Sequence, residues 1–226
     1  MLVKNWMSAK VITTKPDASM ADAVQLMRDH HIRILPVMKN KKLVGVVTDM
    51  DIKRASASDA TMLEVHELLY LISKLTIKQI MNKRPVTVPL DHSIEEAAEI
   101  MAINKLSGVP VMDHKAHLVG VITQTDVTRA LIALTGSDKK GIQFAFLIED
   151  KPGSIKVLTE IIRNHGGRLL SILTSYDRVA KGHRKLYVRT FAVNRQDLKA
   201  LKDEMAAQAK LLYMIDHRED RREIYT

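Results

Sequence analysis

The sequence contains no cysteine, which excludes disulfide frameworks, thiolate nucleophiles and zinc–thiolate sites and agrees with a reducing, cytoplasmic setting. Aromatic residues amount to 4% of 226 residues, so the core has to be aliphatic, with twelve methionines as adaptable filling. No apolar run approaches the roughly 18 residues that span a membrane. The start, Met1-Leu2-Val3-Lys4-Asn5-Trp6, lacks the apolar stretch of a signal peptide. Phosphate-cradling glycine strings and the Gly-x-Ser-x-Gly nucleophile turn are also missing. The nine histidines do not form a metal set: His30 and His31 are adjacent and diverge on a helix, and His114 and His117 have only Asp113 nearby. No catalytic residue and no required cofactor is expected.

The formal charge is +9, but the basic residues are scattered. The densest clusters (Lys39 to Lys42, Lys181 to Lys185, Arg218 to Arg222) read as turn or tail material. Nucleic-acid binders concentrate Lys and Arg on one stripe, often with stacking aromatics. The pattern predicts a solvated surface with a site for a polyanionic nucleotide.

What the chain does have is an internal repeat. Gly45-Val46-Val47-Thr48-Asp49-Met50-Asp51 returns as Gly120-Val121-Ile122-Thr123-Gln124-Thr125-Asp126. At an offset of 74, Met7 falls on Met81, Thr13 on Thr87, Ser19 on Ser93, Ala23 on Ala97, Met27 on Met101 and Pro36-Val37-Met38 on Pro110-Val111-Met112. One insertion later, Leu43-Val44-Gly45-Val46, Thr48, Asp51 and Arg54-Ala55 recur at 75. The unit runs from about residue 7 to 55 and again from about 81 to 131, so one supersecondary element packs against its own copy.

Each copy opens with an extended segment, Val11-Ile12-Thr13-Thr14 or Val86-Thr87-Val88. Ser19 with Asp22, and Ser93 with Glu96, have capping-box spacing. Ala23 with Met27, and Ala97 with Met101, give the following helices one inward face. Two strands and a closing helix follow, an order of β-α-β-β-α. Pro36 and Pro110 argue for edge positions of the middle strands. Residues 59–80, with the apolar stretch Met62 to Ile72, read as a helical connection packed over the pair.

These residues resemble a tandem pair of cystathionine-β-synthase (CBS) domains, a Bateman module, of mixed α/β fold with pseudo-twofold symmetry. The resemblance implies an adenosyl ligand: AMP, ADP, ATP or another adenosyl compound. It assigns Val46, Thr48 and Asp51 to one site and Val121, Thr123 and Asp126 to another. Arg33 and Ser107, two before the middle strands, and Thr13 and Thr87 in the first strands complete the set. A carboxylate at a helix start accepts both hydroxyls of a ribose, and helix N-termini favour phosphate. Each Thr/Asp pair also has a plain alternative, helix capping. Arg33 clamps phosphate where Ser107 does not, so the two sites are expected to be unequal.

After the break Gly136 to Gly141, the pattern reads β-α-β-β-α-β, the ferredoxin-like arrangement. Strands are expected at 142–148, 168–176, 185–193 and 210–215, with helices from 155 and over about 196–208. Glu149-Asp150-Lys151-Pro152-Gly153-Ser154 between the first strand and helix resembles the ACT domain, a small-molecule regulatory module. Asp150, Pro152, Gly153 and Ser154 are then candidates for holding an amino acid; alternatively the Pro-Gly pair only makes a tight turn. His165 and Arg168 around Gly166-Gly167 depart from amino-acid-binding relatives, and the domain then serves dimerisation.

A CBS pair followed by ACT resembles the acetoin-utilisation protein B family. The expected organisation is a first CBS repeat over 1–58, a helical connection over 59–80, a second repeat over 81–135, a linker over 136–141, and an ACT domain with a C-terminal tail over 142–226. The resemblance implies a cytoplasmic, homodimeric, non-enzymatic regulator with an adenine nucleotide ligand and a separate protein partner. Two other readings remain open: a DNA-associated transcriptional regulator using the basic surface, and an enzyme of nucleotide metabolism.

Overall fold

The computed structural model describes residues 1–58 and 75–225. The chain divides into two compact units, Met1–Thr128 and Arg129–Thr226.

In the first unit, α1 (Met20–Asp29), β1 (Ile34–Lys39), β2 (Lys42–Thr48) and α2 (Asp49–Ser58) make the first repeat. After α3 (Ile77–Ile80), the second repeat follows with β3 (Val88–Pro89), α4 (Ile94–Ile103), β4 (Gly108–Met112), β5 (Leu118–Thr123) and α5 (Gln124–Thr135), the helix within which the division between the units falls. Of the expected helical connection, residues 59–74 lie outside the described residues. Both capping boxes form. Ser19 Oγ accepts from Asp22 N at 3.0 Å, and Ser93 Oγ from Glu96 N at 3.1 Å. The acidic partner of each accepts in return from the serine N–H. Met20, Ala23 and Met27 of α1, and Ile94, Ala97 and Met101 of α4, are buried, which fixes the inward face of each helix. Asn40 and Lys41, at φ 50° and 62°, make the tight turn between β1 and β2.

Two expectations are corrected. The first strands shrink to a single parallel bridge, Thr14 to Val37, in one copy and to the two residues of β3 in the other. The middle strand of the second copy is also not an edge, since β4 lies between β3 and β5, whereas in the first copy β1 pairs with β2 alone apart from the Thr14 bridge. The shortness of the first strands is what admits proline there. Thr14 N donates to the Pro36 carbonyl and Met38 N to the Thr14 carbonyl, at 3.0 and 2.8 Å. The missing N–H of Pro36 faces that same flank at a point where no further bond is made.

The two repeats exchange their leading segments. Val46 and Asn82 trade both backbone bonds at 3.0 and 2.9 Å, and Val121 and Ser8 do the same at 3.1 and 2.9 Å. Upstream, Val3 N donates to His92 O and Ile94 N to Met1 O, while Ile77 N donates to Ala18 O and Met20 N to Leu75 O. Ile77 is fully buried in the core of the first repeat, among Met20, Leu35 and Val47. Residues 1–8 are therefore hydrogen-bonded to the second repeat and residues 75–82 to the first. Gly45 and Gly120 mark the crossings. A Cβ on Gly45 would lie 2.6 Å from Met81 Sδ and 2.9 Å from the Asn82 carbonyl, and one on Gly120 would overlap Met7 Sδ.

The second unit is one antiparallel sheet in the order β10-β9-β6-β8-β7, formed by β6 (Ile142–Glu149), β7 (Arg168–Ser175), β8 (His183–Phe191), β9 (Lys210–Asp216) and β10 (Arg221–Ile224). Helices α6 (Ser154–Asn164) and α7 (Leu198–Gln208) pack on it. Phe144 and Phe146 of β6, Leu186 and Val188 of β8, Leu158 and Ile162 of α6, and Leu201 and Met205 of α7 form its core. Gly166, at φ 74°, ends α6, and the Gly167 N–H reaches back to Ile162 O. The Arg218 to Arg222 cluster, read as turn or tail material, is a turn at 218–220 that leads into β10. That strand is held by Glu223, which accepts from Lys202 Nζ at 2.9 Å and from the Tyr225 hydroxyl. Its charged residues suit an edge strand. No helix among the described residues is long and apolar enough to cross a membrane.

The two crossings predict different mutational couplings. Gly45→Ala meets backbone and should cost about 1–3 kcal/mol, with little relief from Met81→Ala. Gly120→Ala meets mainly the flexible end of Met7, so adding Met7→Ala should cost less than the sum of the two single changes. Urea midpoints of the four single and two double variants test this, and absence of coupling in the Gly120/Met7 cycle contradicts it.

A pH dependence follows from Glu223. The Tyr225 hydroxyl and then Lys202 hold its carboxyl down, from 4.5 to about 2. A carboxylate depressed in the folded state stabilises above its unfolded value, and that contribution is lost as pH falls from about 4.5 toward 2. Glu223→Gln should abolish about 1–3 kcal/mol of this acid sensitivity after solvent screening, read as a flatter unfolding midpoint between pH 5 and pH 2.5.

Candidate functional site

Each Gly-h-h-Thr-x-x-Asp run carries the chain from a strand directly into a helix. Thr48 ends β2, and Asp51 lies in the first turn of α2. Asp51 Oδ2 accepts from Thr48 N at 2.9 Å and from Thr48 Oγ1 at 2.6 Å, while Asp51 N donates to Thr48 Oγ1 at 3.2 Å. Thr123 and Asp126 repeat the arrangement at 2.9, 2.6 and 3.4 Å. The capping role is thus present in both copies. It spends one carboxylate oxygen and fixes the side chain; the other oxygen of Asp51 lies 4.0 Å from Arg54.

The two copies differ in access. Asp51 is half-buried, whereas Asp126 is buried. Beside Asp51 lies a cleft of about 490 Å³. It brings together five of the residues expected from the sequence: Arg33, Val46, Thr48, Asp51 and Ser107. Ser107, expected with the site of Asp126, lines this cleft together with Arg33. Their backbones occupy matching positions, the Arg33 carbonyl accepting from Asp49 N and the Ser107 carbonyl from Gln124 N.

The remaining expected residues lie elsewhere. Thr13 lines a separate cleft of about 730 Å³ with Lys15, Lys41 and His117. Thr87 is half-buried and does not line the Asp51 cleft. Val121 packs against Val46 and Ile34 in a small cluster between the repeats. The sequence reading missed Asn82, Pro85, Val86 and Lys105, which reach the Asp51 cleft from the second repeat. The match of Met7 to Met81 was the available signal, because the residue after each methionine makes the crossing. Among the described residues no group of His, Asp and Glu could hold a metal ion.

In the second unit, Asp150, Pro152, Gly153 and Ser154 form the turn into α6, with Gly153 at φ 86°. Asp150 is engaged by Arg184 Nε at 3.4 Å and by the Tyr176 hydroxyl at 3.3 Å, and the Ser154 hydroxyl donates to Lys151 O at 3.0 Å. A cleft of about 550 Å³ adjoins the turn, lined by Lys151, Ser154, His183 and Lys210 with the apolar Leu147, Val157 and Leu158. Of the four expected residues only Ser154 lines it.

Comparison with known proteins follows the repeat. The model of the CBS domain matches residues 3–58 and 77–133, ranges that begin within the exchanged segments. A CBS domain-containing protein of Dictyostelium discoideum is 31% identical over 58% of this chain and 92% of its own length. The inosine-5'-monophosphate dehydrogenase of Korarchaeum cryptofilum is 37% identical over 52% of this chain, but the chain spans only 21% of that enzyme. Among solved structures, the CBS domain pair of protein MJ0100, in complex with 5'-methylthioadenosine and S-adenosyl-L-methionine, is 31% identical with a TM-score of 0.50, covering 58% of this chain and 95% of that one. The crossed Thr–Asp repeats and these matches agree: the chain belongs to the CBS domain family and carries the domain as a tandem pair.

Proposed function

We propose that this protein is a non-enzymatic regulator whose CBS pair binds an adenosyl ligand in the cleft beside Asp51. The observation that carries the reading is the Asp51 carboxylate: one oxygen is held by the Thr48 cap and the side chain borders a cleft shared by both repeats. A ribose diol donates to such a carboxylate, and each charge-assisted bond contributes about 1.5–3 kcal/mol. The similar pair of protein MJ0100 in complex with two adenosyl compounds supports the ligand class. A ligand bridging residues of both repeats favours whichever arrangement of the two it fits best, and its differential affinity sets the size of the shift.

In this reading the second unit is an ACT domain that senses an amino acid or dimerises the protein. Its element order and the Asp150-Lys151-Pro152-Gly153 turn support that assignment. The whole is a cytoplasmic homodimer of the acetoin-utilisation protein B kind that signals to a separate protein.

The test is thermal unfolding of the full chain with AMP, ADP, ATP, S-adenosylmethionine, 5'-methylthioadenosine and the twenty amino acids. A ligand at 100 times its Kd adds about 2.7 kcal/mol. Asp51→Asn keeps an acceptor for the Thr48 cap but removes the charge. It should abolish the adenosyl response while leaving any amino-acid response intact. Absence of a shift with every adenosyl compound refutes the reading.

A further inference from the structure

At one end of the second unit's sheet, where β6 runs out toward α6 and α7 turns into β9, lies the cleft of about 550 Å³. The strand ladder explains its lining. Leu147 and Glu149, two apart on β6, stand opposite Lys210 of β9 and His183 of β8. Ser154, Val157 and Leu158 from the start of α6 make the other wall. Asp150, Pro152 and Gly153, which the sequence offers for holding an amino acid, do not line it.

One positive charge in this lining is left over. Lys151 Nζ engages the Glu149 carboxylate and holds that carboxyl below its usual range. Lys210 is exposed and makes no ion pair among the described residues. A cation just past the C-terminus of α7 also suits the helix dipole, so its charge alone decides nothing. Two further features do. His183 has a buried Nδ1 with no hydrogen-bond partner among the described residues, and an unpaired buried polar atom is costly until something pairs it. Val157 is apolar yet 42% exposed, next to the solvated Lys156 on the same helix. The cleft thus joins an apolar wall to one surplus cation and one free imidazole nitrogen.

We infer that this cleft binds a monocarboxylate with an apolar body, its head on Lys210 and His183 and its chain along Leu147, Val157 and Leu158. A single unpaired cation matches a singly charged head. The ammonium group of an amino acid finds no counterpart here, because Glu149, the only carboxylate of the lining, is already engaged by Lys151. Such a site selects against amino acids and is independent of the adenosyl cleft in the first unit.

Isothermal titration of the full chain with octanoate, octanamide and 2-aminooctanoate tests this, since these compounds share a chain and differ in the head. Octanoate should bind about tenfold more tightly than either of the others. Hexanoate should bind more weakly than octanoate, by about fourfold for each methylene removed. Lys210→Met keeps the apolar stem and should reduce octanoate to the octanamide level while leaving octanamide unaltered. Val157→Asn should weaken both severalfold. His183→Phe should weaken octanoate without lowering the unfolding midpoint, because the nitrogen it removes has no partner in the free protein. Asp51→Asn, which disables the adenosyl site, should leave octanoate binding intact, so the two readings fail separately. Absence of saturable octanoate binding overturns the inference, as does octanoate affinity indifferent to Lys210→Met. Octanamide binding equal to octanoate reduces the cleft to an apolar groove, and 2-aminooctanoate binding as tight as octanoate makes it an amino-acid site; either result also overturns it.

Discussion

Everything in the first unit depends on the reciprocal crossing of its two leading segments. The Val46–Asn82 and Val121–Ser8 pairs each contribute two backbone hydrogen bonds, and each requires the passing chain to lie against a glycine. Net stabilisation per bond is modest, about 0.5–1.5 kcal/mol, but the consequence is topological. Ile77 fills the core of the first repeat although it precedes the second in sequence. Neither repeat can then be removed without opening the core of the other. This is the repeat-protein rule that a single unit cannot bury its own apolar face, realised here by exchange rather than stacking alone.

The crossing also changes what the Thr–Asp motif means. Helix capping and ligand binding are alternatives in the sequence, and the geometry makes them compatible, since the cap uses one carboxylate oxygen of Asp51 and leaves the other. Thr48 N and Oγ1 converge on one oxygen of Asp51, so the carboxylate is held in a single orientation before any ligand arrives. A preorganised acceptor loses less conformational freedom on binding than a mobile one. Asp126 has the same internal geometry but is almost wholly buried. The duplicated motif therefore preserves a fold device in both copies and presents an accessible carboxylate in one.

Local chemistry was legible from the sequence. The Ser19 and Ser93 boxes, the buried faces of α1 and α4 and the Thr–Asp turns follow from spacings of three and four residues, which helical geometry fixes. Partner choice was not legible. An offset of 74 aligns Met7 with Met81 equally well whether each segment packs on its own copy or on the other, because the two arrangements bury the same side chains. For that reason Asn82, Pro85 and Val86 were not read as neighbours of Asp51, and Ser107 was not expected to line its cleft. The first strands were overestimated because β-branched runs at Val11–Thr14 and Val86–Val88 read as strands, whereas only Thr14, Val88 and Pro89 find a partner. Strand β10 was overlooked for the opposite reason: Arg221-Arg222-Glu223 has no apolar alternation, and it is fixed by Lys202 and Tyr225.

Exchange and charge divergence act together. Symmetric packing requires the positions that touch across the crossing to stay alike, and they do: Met7 and Met81, Gly45 and Gly120, Val46 and Val121. Of the positions facing the cleft, Thr48, Asp51 and Arg54 recur in the other copy, while others part, with Lys53 against Thr128 and Lys105 against His31. A symmetric frame with an asymmetric lining gives one accessible cleft that draws residues from both halves. Because the leading segment of each repeat is hydrogen-bonded to the other, a ligand in the cleft beside Asp51, as proposed above, would meet two repeats that are interlocked. Two independently folded repeats joined by a tether could bind the same molecule, but each could open without the other. In the proposed reading, the interlock is what lets occupancy of that one cleft bear on both repeats.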